Sequence, residues 1–392
     1  MNAHSPTFTI ITWGCQMNED DSDQISGILM RMGYQPTDEE KNADVIVLNT
    51  CSVRAKPEQK VRSKIGELKR LKLGKPDTLI IVCGCLAQRM GEAITKFAPN
   101  TVDIVIGTAQ IHRIPELIEK ARANSKPASM LDLPDAIHSQ TYKRVEAPLR
   151  SPIKSFVPVM YGCDNFCAYC IVPYVRGRER SRPLPEIVEE VQRLAERGCK
   201  EVTLLGQNVN SYSGGASFAE LLEAIDIKTD IQRIRFTTSH PKDLSEELIS
   251  AMASLPKVCE HIHLPIQAGD NDVLRAMNRG YSVEQYIEKV SLLRKAVPNI
   301  SLTTDILVGF PGETEKQFEN TIRTIETIRF DAAFMFAFDP IPGTAAANLP
   351  NQLPTNIKRS RLREVIDLQN RITLEINESL KGSVFEVLVE GS

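Results

Sequence analysis

Length, composition and charge bound the class of protein before any motif is considered. The chain has 392 residues, 42% of them hydrophobic, which suits two or three domains with sizeable cores. No apolar run approaches the roughly 18 residues of a membrane span, and MNAHSPTFTI is not a signal peptide. A net charge of −3 excludes strong overall attraction to polyanions. Nine cysteines without an export signal favour reduced thiols and metal binding, so we expect a cytoplasmic protein.

The first 125 residues alternate short apolar runs with helical patterns. FTIITWGC, ADVIVLNTC and TLIIVCGC are typical of buried strands, a further strand is predicted over 102–107, and helices over 22–32 and 58–73. This alternation predicts an N-terminal domain, 1–125, with a doubly wound parallel sheet. Residues 126–154 contain four prolines and are predicted to be a linker. Asp20, Asp21 and Asp23 are interpreted as a solvated cap before the first helix.

A second alternating series covers residues 155–380. Its strand candidates are SFVPVMY, EVTLLGQN, IRFTTSH, HIHLPIQ, LTTDILVGF and DAAFMFAF. Six such units predict an α/β fold with a partial (β/α)6 barrel, whose functional edge lies at the C-terminal ends of its strands. Residues 350–380 are predicted to end mostly as a charged helix, and the last residues, GSVFEVLVEGS, predict a single β-strand.

Three cysteines follow the first strand of this series, in YGCDNFCAYCIVPY. These barrel cysteines, Cys163, Cys167 and Cys170, have C-x3-C-x2-C spacing. Three thiolates suit a 4Fe-4S cluster and leave one iron open for a reactant, whereas electron-transfer clusters normally take four cysteines. The alternative is a buried helix face at i, i+4 and i+7. Gly162 and Asp164 make a poor helix start, which favours the cluster.

A second set of cysteines follows three predicted strands of the first domain. Parallel strands bring their C-terminal ends to one edge, so we expect these N-terminal cysteines, Cys15, Cys51 and Cys85, to converge there. They predict a second three-thiolate site with an open iron. Cys83 lies two residues before Cys85 and is either a spare ligand or a small buried residue.

Two basic tracts accompany the cysteines. Residues 54–75 have nine Lys or Arg side chains against two Glu, a local charge of +7. In VRGRERSRP the arginines recur at every second position, which in an extended chain aims them to one side. Such clusters suit phosphate backbones, although a solvated helix face and ion-paired arginines are the alternatives. The predicted RNA-binding residues are Arg54, Lys60, Arg62, Arg176, Arg178, Arg180 and Arg182.

The C-x3-C-x2-C motif after a first barrel strand resembles the radical S-adenosylmethionine (SAM) enzymes. Together with upstream motifs, this one resembles the methylthiotransferases, and the similarity extends over almost the whole chain. The upstream motifs are GCQMN, NTCS and GCLAQ, and those that follow are LLGQNVNSY, HLPIQAGD, MNRGY and TTDILVGFPGET. GCQMN and RGRERSRP are most similar to the branch acting on isopentenylated adenosine in tRNA. Sister branches modify threonylcarbamoyl-adenosine in tRNA or an aspartate of a ribosomal protein. The family usually ends in a small β domain, TRAM, of which 381–392 is interpreted as a truncated start.

The resemblance implies a role for each cysteine set. The barrel cysteines would hold the 4Fe-4S cluster that binds and cleaves SAM, giving a 5′-deoxyadenosyl radical that abstracts hydrogen from carbon 2 of adenine. The N-terminal cysteines would hold an auxiliary 4Fe-4S cluster carrying the sulfur, which a second SAM methylates. Polar segments after the barrel strands supply the candidate SAM-binding residues, Gln207, Asn208, Ser239, Gln267 and Gly269.

The implied partners are the tRNA anticodon loop carrying isopentenyladenosine and a low-potential electron donor such as a flavodoxin or ferredoxin. A monomer with no membrane association is expected. The alternatives are the same chemistry on the sister substrates, an iron–sulfur redox or sensor protein, or an RNA-binding scaffold. The C-x2-C-x2-C-x3-C-P run of common electron carriers is absent from the sequence, which favours the enzyme.

Overall fold

A computed structural model describes residues 5–52, 55–123, 127–133 and 144–390. The chain forms two compact units, and each includes part of the segment around the barrel cysteines. Unit 1 comprises Met1–Arg150, Tyr161–Asp164 and Ile171–Arg180. Unit 2 comprises Ser151–Met160, Asn165–Cys170 and Ser181–Ser392.

Unit 1 contains a six-stranded parallel sheet in the order β2-β1-β3-β4-β5-β6. Its strands are β1 (Thr7–Trp13), β2 (Gln35–Pro36), β3 (Val45–Thr50), β4 (Leu79–Gly84), β5 (Ile104–Ile106) and β6 (Ala128–Met130). Its helices are α1 (Gln16–Arg31), α2 (Ala55–Gly74), α3 (Cys85–Met90), α4 (Ala93–Phe97), α5 (Ile114–Ala123) and α6 (Val172–Arg176). The predicted parallel sheet is therefore confirmed.

Helices cover both faces of this sheet, because its central strands are apolar on both sides. Along β3, Val45 and Val47 pack in one apolar cluster with Ile25 of α1, whereas Ile46 packs in the other with Ile65 of α2. Successive strand residues point to opposite faces, so a continuous apolar run is what a doubly covered parallel strand requires.

Two expectations for unit 1 are wrong. Strand β6 lies within the segment predicted as a linker, because residues 128–130 pair in parallel with β5. Helix α1 begins at Gln16, well before the predicted start. Asp20 and Asp21 are consequently buried inside a helix and do not form a solvated cap.

Unit 2 contains the six predicted strands: β7 (Lys154–Pro158), β10 (Glu201–Leu205), β11 (Arg233–Phe236), β12 (His261–His263), β13 (Ser301–Val308) and β14 (Ala332–Ala337). They form two parallel three-stranded sheets, β7-β10-β11 and β12-β13-β14, and a parallel bridge joins Ile234 to Val258. Two short strands, β8 (Met160–Tyr161) and β9 (Arg180–Ser181), make a separate ribbon. This is the open, partial barrel that six βα units predict.

In the described part of unit 2, seven α-helices lie between and after these strands. They are α7 (Leu184–Glu196), α8 (Phe218–Lys228), α9 (Glu246–Ser254), α10 (Asn271–Ala276), α11 (Val283–Ala296), α12 (Glu315–Ile328) and α13 (Thr355–Ser379). Capping boxes start α8, α11 and α12, where Ser217, Ser282 and Thr314 each accept the amide three residues later. These caps fix where each βα loop ends.

The C-terminal segment differs from its prediction. Helix α13 is present, but residues 383–390 contain no strand. A strand needs a hydrogen-bonded partner, so alternating apolar residues alone do not make one. Among the described residues, no helix is long and apolar enough to cross a membrane.

Candidate iron–sulfur sites

Strand register brings the N-terminal cysteines together. Trp13 pairs with Thr50, and Thr50 pairs with Gly84, forming one row across β1, β3 and β4. The three cysteines follow this row by one or two residues, and the amide of Cys51 donates to the carbonyl of Trp13 at 2.8 Å. Since neighbouring strands lie about 4.8 Å apart, the three thiols share one end of the sheet.

A buried amide network supports this row. The side chain of Asn49 donates to the Asn18 carbonyl at 2.7 Å and to Ser22 Oγ at 2.8 Å, and the Asn18 amide donates to Asn49 Oδ1 at 3.0 Å. Gly84, directly before Cys85, has φ of 88°, and a Cβ there would lie 2.5 Å from the Thr50 carbonyl oxygen. These contacts hold the ends of β1, β3 and β4 in fixed positions.

Two buried ion pairs lie on α1, just after Cys15. Arg176 Nη2 is 2.8 Å from Asp21 Oδ2, with side chains 5% and 1% exposed. Arg144 donates to both carboxylate oxygens of Asp20, at 2.8 and 2.5 Å. The expectation that the VRGRERSRP run is extended is wrong at Arg176, which ends helix α6. Its guanidinium is not exposed to a phosphate.

The thiols of the row interact with one another and with that guanidinium. Burial raises the pKa of Cys85 to about 12; Arg176 opposes the rise, and Cys51 and Cys15 add to it. Metal binding replaces the thiol proton, so a high pKa does not prevent ligation. Cys83 is fully buried in the apolar core, as a structural residue would be.

None of the described cysteines forms a disulfide bond. In the described part of the chain, no group of three or more His, Cys, Asp or Glu side chains converges on a single metal ion. A 4Fe-4S cluster does not require such convergence, because each ligated iron takes its own thiolate. A row of three thiols at one end of the sheet, of which Cys15 is exposed and the other two are buried, lies next to a buried cation and therefore fits a cluster with one open iron.

The barrel cysteines lie on a loop, which rules out the alternative of a buried helix face. Residues 162–170 contain no helix, and α6 begins only at Val172. Gly162 has φ of 79°, and a Cβ there would lie 2.1 Å from the Arg178 carbonyl oxygen. The Cys163 amide donates to the carbonyl of Gly177 at 3.2 Å. A glycine before Cys163 is therefore required by the turn.

Within unit 2, the loop 165–170 is held by the MNRGY segment, 277–281. The amide of Ala168 donates to the Met277 carbonyl at 2.9 Å. Asn278 Nδ2 donates to the carbonyls of Asn165 and Phe166, both at 3.1 Å. Arg279 Nη1 donates to Cys167 Sγ at 3.3 Å. Sequence analysis quoted MNRGY only for its resemblance and assigned no role to Arg279.

The candidate SAM residues occupy different environments. Asn208 and Ser239 are buried, and Asn208 Oδ1 and Ser239 Oγ have no hydrogen-bond partner among the described residues. Gln267 has φ of 70° and is bound by backbone to β13, while Gln207 follows β10. Close packing explains why a glycine is present at position 269, because a Cβ there would lie 2.6 Å from a Cα atom of α12.

The predicted RNA-binding residues divide by exposure. Arg182 is buried, donating to the Pro158 carbonyl and Glu190, both at 2.6 Å, which leaves it no phosphate access. Arg178 is 57% exposed and pairs with the partly exposed Asp164. Arg180 Nη2 donates to a backbone carbonyl of α6 at 3.2 Å.

Ion pairs neutralise part of the basic tract of residues 54–75. Ion pairs within unit 1 occupy Arg62, Lys64, Lys72 and Lys75. Lys60 is exposed and has no ion pair with any described residue. The prediction for Arg54 lies outside the described residues. The alternative of a solvated helix face fits the exposed Lys60, Lys69 and Arg70, whereas ion pairs hold the four cations named above.

Comparisons with known proteins agree with this architecture. The radical SAM superfamily model matches residues 157–325, and the model of Uncharacterized protein family UPF0004 matches residues 7–107. The tRNA-2-methylthio-N(6)-dimethylallyladenosine synthase of Moorella thermoacetica is 48% identical over 391 residues, covering 98% of this chain and 87% of the relative. The chain belongs to this synthase family.

A second member of the family, from Caldicellulosiruptor saccharolyticus, is 46% identical over 100% of this chain and 83% of its own. Among solved structures, the radical SAM methyltransferase TsrM from Kitasatospora setae superposes with a TM-score of 0.65 at 15% identity, covering 88% of this chain and 75% of TsrM. The cobalamin-dependent enzyme OxsB gives 0.59 at 12% identity, covering 94% and 56%. These structural likenesses show the radical SAM fold.

Family membership makes this chain a radical SAM enzyme that uses SAM and iron–sulfur clusters. Two buried neighbours of the cysteine sets, Asp21 and Arg279, were not predicted as site residues, and a third, Arg176, was predicted to bind RNA and not to lie beside the cysteines. The sequence offered a signal for Arg279, because this residue lies within the MNRGY motif. The sequence also showed the acidic run that contains Asp21, but not that this side chain is buried.

Proposed function

We propose that the protein replaces the hydrogen on carbon 2 of an isopentenylated (dimethylallyl) adenosine, next to the tRNA anticodon, with a methylthio group. The single observation that carries this proposal is the pairing of two three-cysteine sets in a chain 48% identical to a synthase of that name. Three thiolates per set leave one iron open for a reactant.

The cysteines and their neighbours have separable tasks in this reaction. When bound, the two clusters supply the electron that cleaves SAM and the sulfur that is transferred. The barrel cysteines would hold the first cluster and the N-terminal cysteines the second. Arg176 holds a buried positive charge beside the N-terminal thiols, which favours their anionic, metal-binding form. The amide network of Asn18 and Asn49 keeps the strand ends in place.

Unpartnered polar atoms in unit 2 support the binding of SAM. Among the described residues, Asn208 Oδ1, Ser239 Oγ and His240 Nε2 are buried without hydrogen-bond partners. Burial lowers the pKa of His240 to about 2, with Arg279 contributing, so its imidazole is neutral at physiological pH. Buried polar atoms cost stability unless a partner is supplied. Asn208 Oδ1 needs a donor, whereas His240 Nε2 carries the ring proton and needs an acceptor, because Nδ1 accepts from the Lys242 amide. SAM has amine and hydroxyl donors as well as a carboxylate acceptor, so it could supply both kinds of partner.

A groove in unit 1 supports RNA binding near the N-terminal cysteines. It has a volume of about 660 Å³ and lies between β1 and α2, where it is lined by Trp13, Lys60 and Lys64. Lys64 is ion-paired with Glu40, which leaves Lys60 as the groove's cation for a phosphate. A tryptophan offers a stacking surface for an unstacked base. Arg178 is 57% exposed, but its ion pair with Asp164 makes it a weaker candidate for a phosphate than Lys60.

The remaining partners follow from the chemistry proposed. Cleaving SAM requires a low-potential electron donor, for which a flavodoxin or ferredoxin is the expected class. A tRNA substrate implies action in the cytoplasm, and we expect the enzyme to act as a monomer.

The test is a substrate comparison with anaerobically reconstituted protein, SAM and a chemical reductant. We expect mass spectrometry of digested RNA to show the methylthio nucleoside only when the RNA carries isopentenyladenosine. Matched substrates are the same RNA without the isopentenyl group, RNA with threonylcarbamoyl-adenosine, and the ribosomal protein. Product only on one of these would reject the proposed substrate. Absence of 5′-deoxyadenosine with every substrate would reject the enzyme and favour a sensor.

A further inference from the structure

Arg279 is a buried cation without a carboxylate partner. The residue is 5% exposed, and no Asp or Glu of the described residues forms an ion pair with it; the groups that act on its charge are Tyr169, Tyr281 and Cys167. Its charge is permanent, since arginine does not lose its proton in proteins. Burying an uncompensated charge is costly, so buried cations are normally paired with an anion.

The contacts of Arg279 show which anion is available. Its Nε and Nη2 donate to Tyr281 Oη at 3.0 Å and to the Pro265 carbonyl at 2.9 Å. Its Nη1 donates to Cys167 Sγ at 3.3 Å and contacts Tyr169 Oη at 3.4 Å. Among these partners, only the sulfur of Cys167 becomes an anion when it binds iron.

The surroundings make this contact rigid. Tyr281 Oη itself donates to the carbonyls of Pro265 and Ile266, at 3.2 and 2.8 Å, so the phenol and the guanidinium are anchored to one turn. Tyr169 and Tyr281 pack against the apolar core that contains Met277. Arg279 therefore meets Cys167 from a fixed position, as ligand-orienting groups around metal sites do.

We propose that Arg279 is a positioning residue for the SAM-binding cluster, whose hydrogen bond to the Cys167 sulfur orients this ligand and raises the cluster's reduction potential. The inference rests on the proposed function, because it requires Cys167 to ligate that cluster. Reduction adds negative charge to the cluster and its thiolates. A fixed positive charge and a hydrogen bond at a ligand sulfur stabilise this reduced state most, and such contacts set cluster potentials.

The test is a redox titration of the reconstituted full chain followed by electron paramagnetic resonance. The signal that changes when SAM is added reports the SAM-binding cluster and separates it from the auxiliary one. We expect Arg279→Met to lower the reduction potential of the SAM-binding cluster by about 59 mV. At a fixed solution potential this shift makes the ratio of reduced to oxidised cluster about tenfold smaller. An unchanged potential in Arg279→Met with the cluster retained would overturn the proposal.

Two control variants separate this effect from general damage. Arg275→Met removes an exposed cation of α10 that is paired with Asp272, and should leave the potential unchanged. Tyr281→Phe removes one anchor of Arg279 without touching Cys167, and should shift the potential less than Arg279→Met. An equal or larger shift in either variant would contradict a direct effect at the sulfur.

A second neutral variant keeps the proposal testable if the Met variant does not retain its cluster. Arg279→Gln removes the charge but keeps an amide, and should also lower the potential; a wild-type value in this variant would overturn the proposal. If the wild-type chain itself has no SAM-responsive signal, the proposed function fails. If the wild-type signal is present and both neutral variants have the wild-type reduction potential, the proposed function stands and only the role of Arg279 fails.

Discussion

Replacing Asp21 with asparagine should destabilise the protein strongly, because Asp21 and Arg176 are a buried ion pair. Their charged atoms are 2.8 Å apart, with side chains 1% and 5% exposed. Asparagine keeps the shape but leaves the guanidinium without its carboxylate. Removing one partner of a buried pair costs about 3–5 kcal/mol. In a domain of this size each kcal/mol corresponds to roughly 2–4 °C, so we expect Asp21→Asn to lower the Tm by about 6–20 °C.

Asp23→Asn is the matched control on the same helix. Asp23 pairs with Arg150 at 2.5 Å, but that arginine is 43% exposed. Burial raises the pKa of Asp23 to about 6, with Arg150 opposing the rise, so folding disfavours the negative charge of Asp23 and asparagine loses no favourable charge there. An exposed pair contributes about 0–1 kcal/mol. We therefore expect Asp23→Asn to change the Tm by only a few degrees.

The assay is thermal unfolding of iron-loaded protein under anaerobic conditions. The double variant Asp21→Asn with Arg176→Met should recover much of the lost stability, since replacing a whole buried pair with neutral groups is often tolerated. If Asp21→Asn costs no more than Asp23→Asn, or if the two changes in the double variant simply add, the pair does not have the energetic role described.

Three further predictions concern the turn, the pH dependence and the RNA contact. Gly162→Ala should prevent cluster loading by the barrel cysteines, measured as iron content, because its Cβ would overlap a backbone oxygen. Gly177→Ala has the same φ of 79° but no contact closer than 3.9 Å, so it should cost about 1–3 kcal/mol of stability through backbone strain and keep its iron. His240, its pKa lowered to about 2 by burial, stays neutral when folded and protonates below about 6.5 when unfolded. Its contribution to stability should therefore fall by up to about 1.4 kcal/mol per pH unit below that value. His240→Gln should reduce this slope in denaturant titrations, and His261, whose pKa burial lowers to about 4, should keep its own share of it. Lys60→Ala should weaken tRNA binding and reduce the slope of log affinity against log salt by about 1, and an unchanged slope would exclude Lys60 from the interface.

The convergence of the N-terminal cysteines could be predicted from the sequence because it depends on the order and direction of the strands. Each cysteine follows a short apolar run, and parallel pairing then brings the ends of β1, β3 and β4 to one edge. The barrel cysteines were equally accessible, because glycine and asparagine around them exclude a helix. Both inferences use local pattern and the geometry of parallel sheets.

The partners of these cysteines were not accessible, because they are distant in sequence. Arg176 meets Asp21 across 155 positions, and Arg279 meets Cys167 across 112. Charge pattern alone assigned Arg176 to RNA, since spacing does not show which arginines are buried. Sequence spacing likewise does not show whether a strand has a neighbour to pair with. Residues 383–390 alternate apolar and polar side chains but have no partner strand among the described residues, so they form no strand.

The central claim is that one chain holds two separate clusters, each on three cysteines, and iron and sulfide counts after anaerobic reconstitution test it most directly. The account predicts about eight irons and eight sulfides per wild-type chain, and about four of each in both Cys167→Ala and Cys51→Ala. About four irons in the wild type, or a wild-type count in Cys51→Ala, would contradict it.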